Sequence, residues 1–182
     1  MKMVDTILSL GLNSPETTSM GRLFDGVSAM LGIKDNVSYE GQGAILLEAA
    51  AGETDETYPY EIIKENGLYV FDYRPMIKEI AKGEDGKSLA AAKFMNTLVA
   101  MAEEMSQKIR EDTTLNRIVL SGGTFQNMYM LHRLTKKLRK RGFEVYTHRK
   151  VATNDEGISL GQTMIAEKGG GRYVPCSTPE NS

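Results

Sequence analysis

The stretch Arg117-Ile-Val-Leu-Ser-Gly-Gly-Thr-Phe-Gln-Asn127 decides how the second half of this chain folds. Residues 118–120 form a short β-rich apolar run of the kind that parallel sheets bury. Two glycines follow, so the backbone can turn sharply at the strand end. Thr124 is predicted to cap the next helix, with Asn127 in its first turn. Such a junction can bind an anion or a nucleotide, but it is also a common packing connection, so both interpretations stay open.

A second strand is predicted at residues 143–146, after a helix over residues 124–141. Strand, helix and strand form a βαβ crossover, which expects the two strands to be parallel. Asp155 follows the second strand and precedes another helix, so it is either a site residue or only a helix N-cap. Ligands bind at the carboxyl ends of such strands. The residues expected to converge there are Gly122, Gly123, Asn127 and Asp155.

A helix predicted over residues 21–32 carries a carboxylate, Asp25, among small residues. At three- and four-residue spacing, the neighbours of Asp25 are Gly21, Ser28, Ala29 and Gly32. Small neighbours leave room for a ligand over the carboxylate. A solvated Asp beside glycines needed for close helix packing explains the pattern equally well.

The remaining pattern predicts helices around one strand hairpin. A helix over 44–51 is expected to end at Gly52, and Asn66-Gly67 predicts a tight hairpin turn. A long helix over 88–110 presents an apolar stripe, which is typical of core. We expect a helical part at 1–57, an α/β part at 58–168 and a flexible tail at 169–182.

Composition narrows the function. The 182 residues are 41% hydrophobic and 25% charged with a net charge of −2, which disfavours nucleic-acid binding. A run of basic residues near 133–141 ends a helix, where cations favour the macrodipole, so we interpret it as a solvated face. The sequence lacks a membrane span or signal peptide, and its single Cys176 suits a reducing cytoplasm. Two histidines, His132 and His148, are too few for a protein-only zinc cage.

Four segments of the chain are distinctive together, namely Ser19-Met-Gly-Arg-Leu-Phe-Asp-Gly-Val-Ser-Ala-Met-Leu-Gly32, Tyr39-Glu-Gly-Gln-Gly-Ala-Ile-Leu-Leu-Glu48, Leu120-Ser-Gly-Gly-Thr-Phe-Gln-Asn127 and Asn154-Asp-Glu-Gly-Ile-Ser-Leu-Gly-Gln162. In this order they resemble the C-terminal part of the HypF family of carbamoyltransferases of NiFe-hydrogenase maturation. The lobe is also similar to that of the tRNA threonylcarbamoyladenosine synthase TsaD and of antibiotic O-carbamoyltransferases. The resemblance implies an α/β fold with a mixed sheet and flanking helices. It would be one lobe of the two-lobe actin-like ATPase and sugar-kinase (ribonuclease H-like) fold.

The resemblance also implies roles for individual residues. Asp25 corresponds to the carboxylate that holds the nucleotide ribose, and Gly41 to a glycine whose backbone approaches the nucleotide. Gly122, Gly123 and Asn127 correspond to the turn and amide that hold its phosphate or adenosine part. Asp155 corresponds to a metal-ligand carboxylate. No catalytic nucleophile is evident in the sequence.

As a HypF-like lobe, the chain is expected to use ATP, as carbamoyl-adenylate, and a divalent metal. The metal and backbone donors would polarise the carbamoyl carbonyl, and the acceptor would be the C-terminal cysteine of a HypE-like protein. The metal-binding histidines are expected on a missing lobe, so this chain alone is expected to be inactive and to need the missing N-terminal regions of HypF. Nucleic acid and membrane are not expected partners, and a homodimer is left open. The alternatives are a non-catalytic nucleotide-binding or interaction module and a small-molecule O-carbamoyltransferase.

Two positions depart from the family pattern. Phe94-Met95 stands where the family has Phe-His, and Glu156 stands where the family often has glycine.

Overall fold

The computed structural model describes residues 2–15 and 17–168. These residues contain seven α-helices and four strands. The helices are α1 (Lys2–Ser9), α2 (Met20–Met30), α3 (Gln42–Ala50), α4 (Arg74–Lys82), α5 (Lys87–Thr113), α6 (Met128–Lys140) and α7 (Ile158–Lys168). The strands are β1 (Glu61–Glu65), β2 (Leu68–Asp72), β3 (Arg117–Leu120) and β4 (Glu144–Thr147). The predicted α/β class is confirmed. The predicted flexible tail at 169–182, with Cys176, lies outside the described residues.

The four strands form two separate pairs. β1 and β2 are antiparallel, and Asn66 and Gly67 join them with φ angles of 50° and 82°, as the hairpin signal predicts. β3 and β4 are parallel, with Leu120 beside Thr147, and α6 connects them. The predicted crossover is therefore confirmed. The expected single mixed sheet is wrong, because within the described chain neither pair is hydrogen-bonded to the other.

The hairpin is held by the long helix α5. Lys64 Nζ and the Tyr69 hydroxyl contact Asp112 Oδ2 at 2.6 Å and 2.8 Å. The Tyr60 hydroxyl donates to Glu104 Oε2 at 3.0 Å. These side-chain contacts dock β1 and β2 on α5 instead of on the edge of the parallel pair.

The core surrounds α5. Phe94, Leu98 and Met101 of its predicted apolar stripe are buried, and Phe94 packs edge-on against Phe24 with ring centroids 5.0 Å apart. Further along the stripe, Met105 is only half-buried and Ile109 is exposed. The long helix therefore forms the centre of the core in its first half.

Two large apolar side chains outside α5 lie on the surface. Met30 of α2 and Met128 of α6 are 45% and 47% exposed. Phe24 and Met130 are buried in the same helices.

Gly52 does not end α3 as a left-handed cap, which corrects the prediction. The C-cap is Ala51, in an extended conformation. The N–H of Gly52 donates to the Ser88 carbonyl at 3.1 Å, and a Cβ on Gly52 would lie 2.6 Å from Ser88 Oγ. The backbone at Gly52 therefore lies against Ser88 at the start of α5. Among the described residues, every helix is too short or too polar to cross a bilayer.

Candidate functional site

A cleft of about 860 Å³ opens between α2, the start of α3 and the loops that follow β3 and β4. Its wall includes five of the six residues singled out in the sequence, namely Asp25, Gly41, Gly123, Asn127 and Asp155. The fold therefore brings two helices from the first half of the chain to the carboxyl ends of the parallel strands. The binding roles of these residues stay predictions.

Gly122, the sixth residue, is not part of the cleft wall. It links the turn after β3 to the loop after β4. Its N–H donates to the Thr153 carbonyl at 2.9 Å, and Thr153 Oγ1 donates to the Gly122 carbonyl at 3.1 Å. Gly122 has φ 101° and ψ 159°, a conformation almost restricted to glycine. Its backbone geometry explains the glycine here and positions the loop that leads to Asp155.

Asp25 is less free than its small neighbours suggest. Arg22 Nη2 pairs with Asp25 Oδ2 at 2.8 Å, and the aspartate side chain is 23% exposed. A Cβ on Gly43 of α3 would lie 2.9 Å from Asp25 Oδ1 and 3.5 Å from Ser28 Cβ, and Ser28 is fully buried. Helix α3 packs closely on one side of Asp25 and the cleft opens on the other, and the role of Asp25 toward a ligand stays a prediction.

Gly41 lies immediately before α3 as its N-cap. Its φ is 79°, in the left-handed region, and nothing lies within 4 Å of where its Cβ would be. The backbone conformation thus accounts for glycine without a ligand. It also leaves this part of the cleft wall free of a side chain.

The helix after β3 begins later than predicted. A 3₁₀ turn, Gly123–Gln126, intervenes, and α6 starts at Met128. Thr124 is therefore not the N-cap, which corrects the prediction. Asn127 is the N-cap, because its Oδ1 accepts the N–H of Met130 at 2.9 Å.

The first turn of α6 is already paired within the protein. Asn127 is 8% exposed, and its Nδ2 contacts the buried Met95 Sδ at 3.3 Å, so its side chain is engaged at both ends. Glu48 Oε1 accepts the N–H of Tyr129 at 2.9 Å. An anion at this junction would therefore have to bind to the N–H groups of the 3₁₀ turn instead of those of α6. There, within the described chain, the N–H groups of Gly123 and Thr124 make no hydrogen bond.

Met95, which stands where the family has histidine, is not on the cleft wall. It contacts the wall residue Asn127 from the core side. Its sulfur is the acceptor for the Asn127 amide. A thioether is a weak acceptor. The contact gives the Nδ2 end of the Asn127 amide a partner, while its Oδ1 end caps α6.

Asp155 begins a second 3₁₀ turn, Asp155–Gly157, and is exposed. The N-cap position is Asn154, so Asp155 is not the cap. The neighbouring Asn154 Oδ1 is buried without a hydrogen-bond partner in the described chain, and Asn154 lies on the cleft wall. Nowhere in residues 2–15 and 17–168 do three or more His, Cys, Asp or Glu side chains form a metal-holding group. Asp155 is therefore not part of such a group among these described residues.

The cleft wall is strongly acidic. Its carboxylates are Asp25, Glu40, Glu48, Asp155 and Glu156, and the only cationic side chain on it among the described residues is Arg22. Sequence reasoning missed Glu48 and Arg22. The three-residue spacing of Arg22 and Asp25 was a usable signal, whereas nothing local points from Glu48 to a residue 81 positions away.

The two histidines are off the wall. His148 Nε2 lies 2.9 Å from Ser121 Oγ, each residue directly following its strand of the parallel pair, and both side chains are exposed. His132 is exposed on α6. Neither histidine reaches the residues that form the cleft wall.

A parallel strand pair whose carboxyl ends meet a glycine-rich turn and a polar cleft defines an α/β subdomain with a cleft at its strand ends. The family model described as "Carbamoyltransferase, Kae1-like Domain, second subdomain" matches residues 1–162, and the chain belongs to this family.

Several HypF proteins are similar to this chain. Carbamoyltransferase HypF of Synechocystis sp. is 37% identical over 154 residues, covering 83% of this chain and 20% of the relative. HypF2 of Cupriavidus necator is 31% identical, covering 90% of this chain and 24% of the relative. This chain thus spans about a fifth to a quarter of the length of these relatives.

Two solved structures share the fold. The crystal structure of full-length HypF in the phosphate- and nucleotide-bound form has 45% identity and a TM-score of 0.82, covering 92% of this chain and 23% of that one. The structure of T. kodakarensis HypF, at 22% identity with a TM-score of 0.73, shows likeness of fold alone.

Proposed function

We propose that this chain is the nucleotide-binding part of a HypF-like carbamoyltransferase, within the actin-like two-lobe fold. The observation that carries the proposal is the cleft, where Asp25 and Gly41 face the strand-end residues Gly123, Asn127 and Asp155. The similar full-length HypF whose structure is titled phosphate- and nucleotide-bound supports a nucleotide as the ligand. Hydrogenase maturation in the cytoplasm is the proposed setting.

The nucleotide is proposed to lie across the cleft. Asp25 accepts hydrogen bonds from the ribose, with Arg22 keeping the carboxylate oriented. The unpaired N–H groups of Gly123 and Thr124 donate to a phosphate oxygen. Gly122 shapes this turn, Gly41 keeps the opposite wall open, and Asn127 contributes mainly by fixing the start of α6.

A cation is proposed to enter with the nucleotide. Five carboxylates and one guanidinium on the wall repel an anionic phosphate unless a divalent metal accompanies it. Asp155 supplies one ligand to that metal, and the remaining ligands, including histidines, come from polypeptide outside this chain. The described residues hold no metal-binding group of their own, so binding by this chain alone is weak.

In the complete protein, the carbamoyl group of carbamoyl-adenylate passes to the C-terminal cysteine of a HypE-like acceptor. The cysteine sulfur bonds to the carbamoyl carbon, the bond from that carbon to the phosphate oxygen breaks, and AMP leaves. The nucleophile thus comes from the partner, which agrees with a cleft wall that carries no cysteine. This chain alone is proposed to transfer no carbamoyl group.

A second candidate is a non-catalytic nucleotide-binding or interaction module. The missing metal group in the described residues favours it for this chain in isolation. Transfer to a small-molecule hydroxyl group is a further alternative within the transferase class. Both differ from the main proposal in the fate of the carbamoyl group.

The test uses calorimetry with ATP and Mg²⁺ on this chain and on a chimera. In the chimera, this chain replaces the matched segment of full-length Synechocystis HypF. We expect binding by the chimera to be at least about tenfold tighter than by the chain alone. Asp25→Asn in the chimera should weaken binding by about tenfold, whereas Asp35→Asn, an exposed change outside the cleft, should not.

The same chimera separates the candidates by their chemistry. With carbamoyl phosphate, ATP and HypE, mass spectrometry should find a carbamoylated HypE cysteine. Tight ATP binding without transfer to any acceptor would support the non-catalytic module. Binding that is unaltered in both the Asp25→Asn and the Asn127→Ala variants would overturn the site.

A further inference from the structure

Two helices of this chain turn apolar faces to solvent. Met3, Val4 and Leu8 of α1 are 77%, 57% and 62% exposed. In α7, Ile158, Leu160, Met164 and Ile165 are 53%, 48%, 47% and 73% exposed. None of these side chains packs against the hydrophobic core. Exposed apolar patches of this kind are unusual on soluble monomeric proteins and indicate an interaction site.

The apolar residues of each helix share one side. At 100° per residue, Met3, Val4, Ile7 and Leu8 cover one half of α1. In α7, Ile158, Leu160, Met164 and Ile165 lie on one half, and Ser159, Gln162, Thr163 and Glu167 lie on the other. Both helices therefore have one apolar face suited to burial, and among the described residues no element covers that face.

Charge argues against a lipid surface as the occupant. Residues 158–166 of α7 contain no charged side chain, and residues 3–12 contain only Asp5. Helices that lie on membranes carry lysine and arginine on their polar face, which anionic lipid attracts. A depletion of charge with exposed Met, Ile and Leu is instead typical of the centre of a protein interface.

The family description and the lengths of the relatives identify the occupant. The family model is that of a second subdomain, and this chain covers only 20% and 24% of two HypF relatives. The relatives thus contain another subdomain of the same domain. Helix α7 also starts directly after Asp155–Gly157, so a body docked on α7 lies next to Asn154 and Asp155 of the cleft wall.

We infer that the apolar halves of α1 and α7 are the docking surface for the first subdomain of a Kae1-like domain. That subdomain presents a complementary apolar surface to both helices. Docking on α7 fixes the 3₁₀ turn that carries Asp155 and completes the cleft on that side. The inference rests on family membership and on the bare helix faces, and it does not require that the cleft bind a nucleotide.

Hydrogen exchange without nucleotide tests this inference. The 182-residue chain alone is compared with the same chain inside the full-length Synechocystis chimera. Peptides from residues 2–12 and 158–168 should exchange at least about tenfold more slowly in the chimera. Peptides from residues 136–141, on the basic end of α6, should exchange equally in both and serve as the internal control.

A matched pair of substitutions gives a second measurement. Ile165→Glu charges the apolar half of α7, and Thr163→Glu adds the same charge on the polar half. Because Ile165 is 73% exposed, neither change should alter the melting temperature of the isolated chain. In the chimera, Ile165→Glu should lower the melting temperature and remove the protection of 158–168, while Thr163→Glu should do neither.

Three outcomes would overturn the inference. The first is equal exchange of both helices in the chain and the chimera. The second is an isolated chain that light scattering finds to be a dimer and that Ile165→Glu disperses, since the face would then bind a second copy. The third is binding to phosphatidylserine vesicles that Ile165→Glu abolishes. If the chimera does not fold, hydrogen exchange of the matched segment of Synechocystis HypF, alone and within the wild-type full-length protein, gives the same comparison.

Discussion

Glu48 Oε1 accepts the backbone N–H of Tyr129 at 2.9 Å, and this hydrogen bond joins α3 to the first turn of α6. The carboxylate satisfies a donor at a helix N-terminus, where negative charge is also favoured by the macrodipole. We therefore expect Glu48→Ala to lower the free energy of unfolding by roughly 1–2 kcal/mol, measured by urea denaturation.

Two further variants test this account of Glu48. Glu48→Gln keeps an acceptor oxygen without the charge, so its cost should be about half that of the alanine change. Glu156→Ala removes an exposed carboxylate from the same cleft wall and should change stability by less than about 0.5 kcal/mol. Equal losses in Glu48→Ala and Glu156→Ala would show that the bond to Tyr129 contributes nothing.

The Asn127 side chain caps α6 whether or not it also contacts a ligand. Asn127→Ala leaves the Met130 N–H unpaired and should cost about 1 kcal/mol. Asn127→Ser keeps an uncharged cap acceptor and should cost less than Asn127→Ala, by about 0.5 kcal/mol or more, because Ser and Asn cap equally well. Urea titrations of both variants check this order, and a larger loss in the serine variant would contradict it.

Glycines 43 and 26 look alike in sequence but should respond in opposite ways to alanine. A Cβ at Gly43 would lie 2.9 Å from Asp25 Oδ1, so Gly43→Ala should destabilise the protein by roughly 1–3 kcal/mol. A Cβ at Gly26, within α2, would meet nothing within 4 Å, so Gly26→Ala should stabilise it by about 0.5–1 kcal/mol. Thermal unfolding of both variants checks the two signs. Destabilisation by both would mean that α2 tolerates no added methyl group.

Features that depend on neighbouring residues could be predicted from the sequence. Asn66 and Gly67 adopt the positive φ angles that their hairpin turn requires, and Phe94 and Leu98 are buried as their spacing predicts. The crossover of β3, α6 and β4 also follows from local patterns. In each case the physical cause lies within a few residues or one turn of the pattern itself.

Features that depend on distant contacts could not be predicted in this way. Gly122 adopts a conformation that leads into a 3₁₀ turn. The N-cap of α6 is therefore Asn127 and not the predicted Thr124. Gly43 packs on Asp25 only because α3 crosses α2 there. Cleft residues that belong to a recognisable motif could be predicted from the sequence. The role of Glu48 could not, because its hydrogen-bond partner is 81 residues away.

Glu103 provides a pH-dependent link between α5 and α6. Its Oε1 accepts from Arg141 Nε at 2.8 Å, and its Oε2 lies 3.3 Å from Lys137 Nζ. Burial works to raise the pKa of Glu103, but the hydrogen bonds from Arg141 and Lys137 outweigh burial and lower the pKa below its ordinary value of 4.5. A carboxylate with a lowered pKa stabilises the folded state above its unfolded-state pKa. That stabilisation is lost as the pH falls through the folded-state pKa.

Glu103→Gln should therefore lower the free energy of unfolding by roughly 1–2 kcal/mol at neutral pH. The difference from wild type should persist down to a pH near 4.5 and then shrink towards zero as Glu103 takes up a proton. Urea denaturation at neutral pH and at about pH 3 measures both values. Glu111→Gln, an exposed change on the same helix, is the control and should show no difference at either pH. A loss in Glu103→Gln that is as large at low pH as at neutral pH would mean that side-chain packing, and not the ion pairs, holds α6 to α5 at this point.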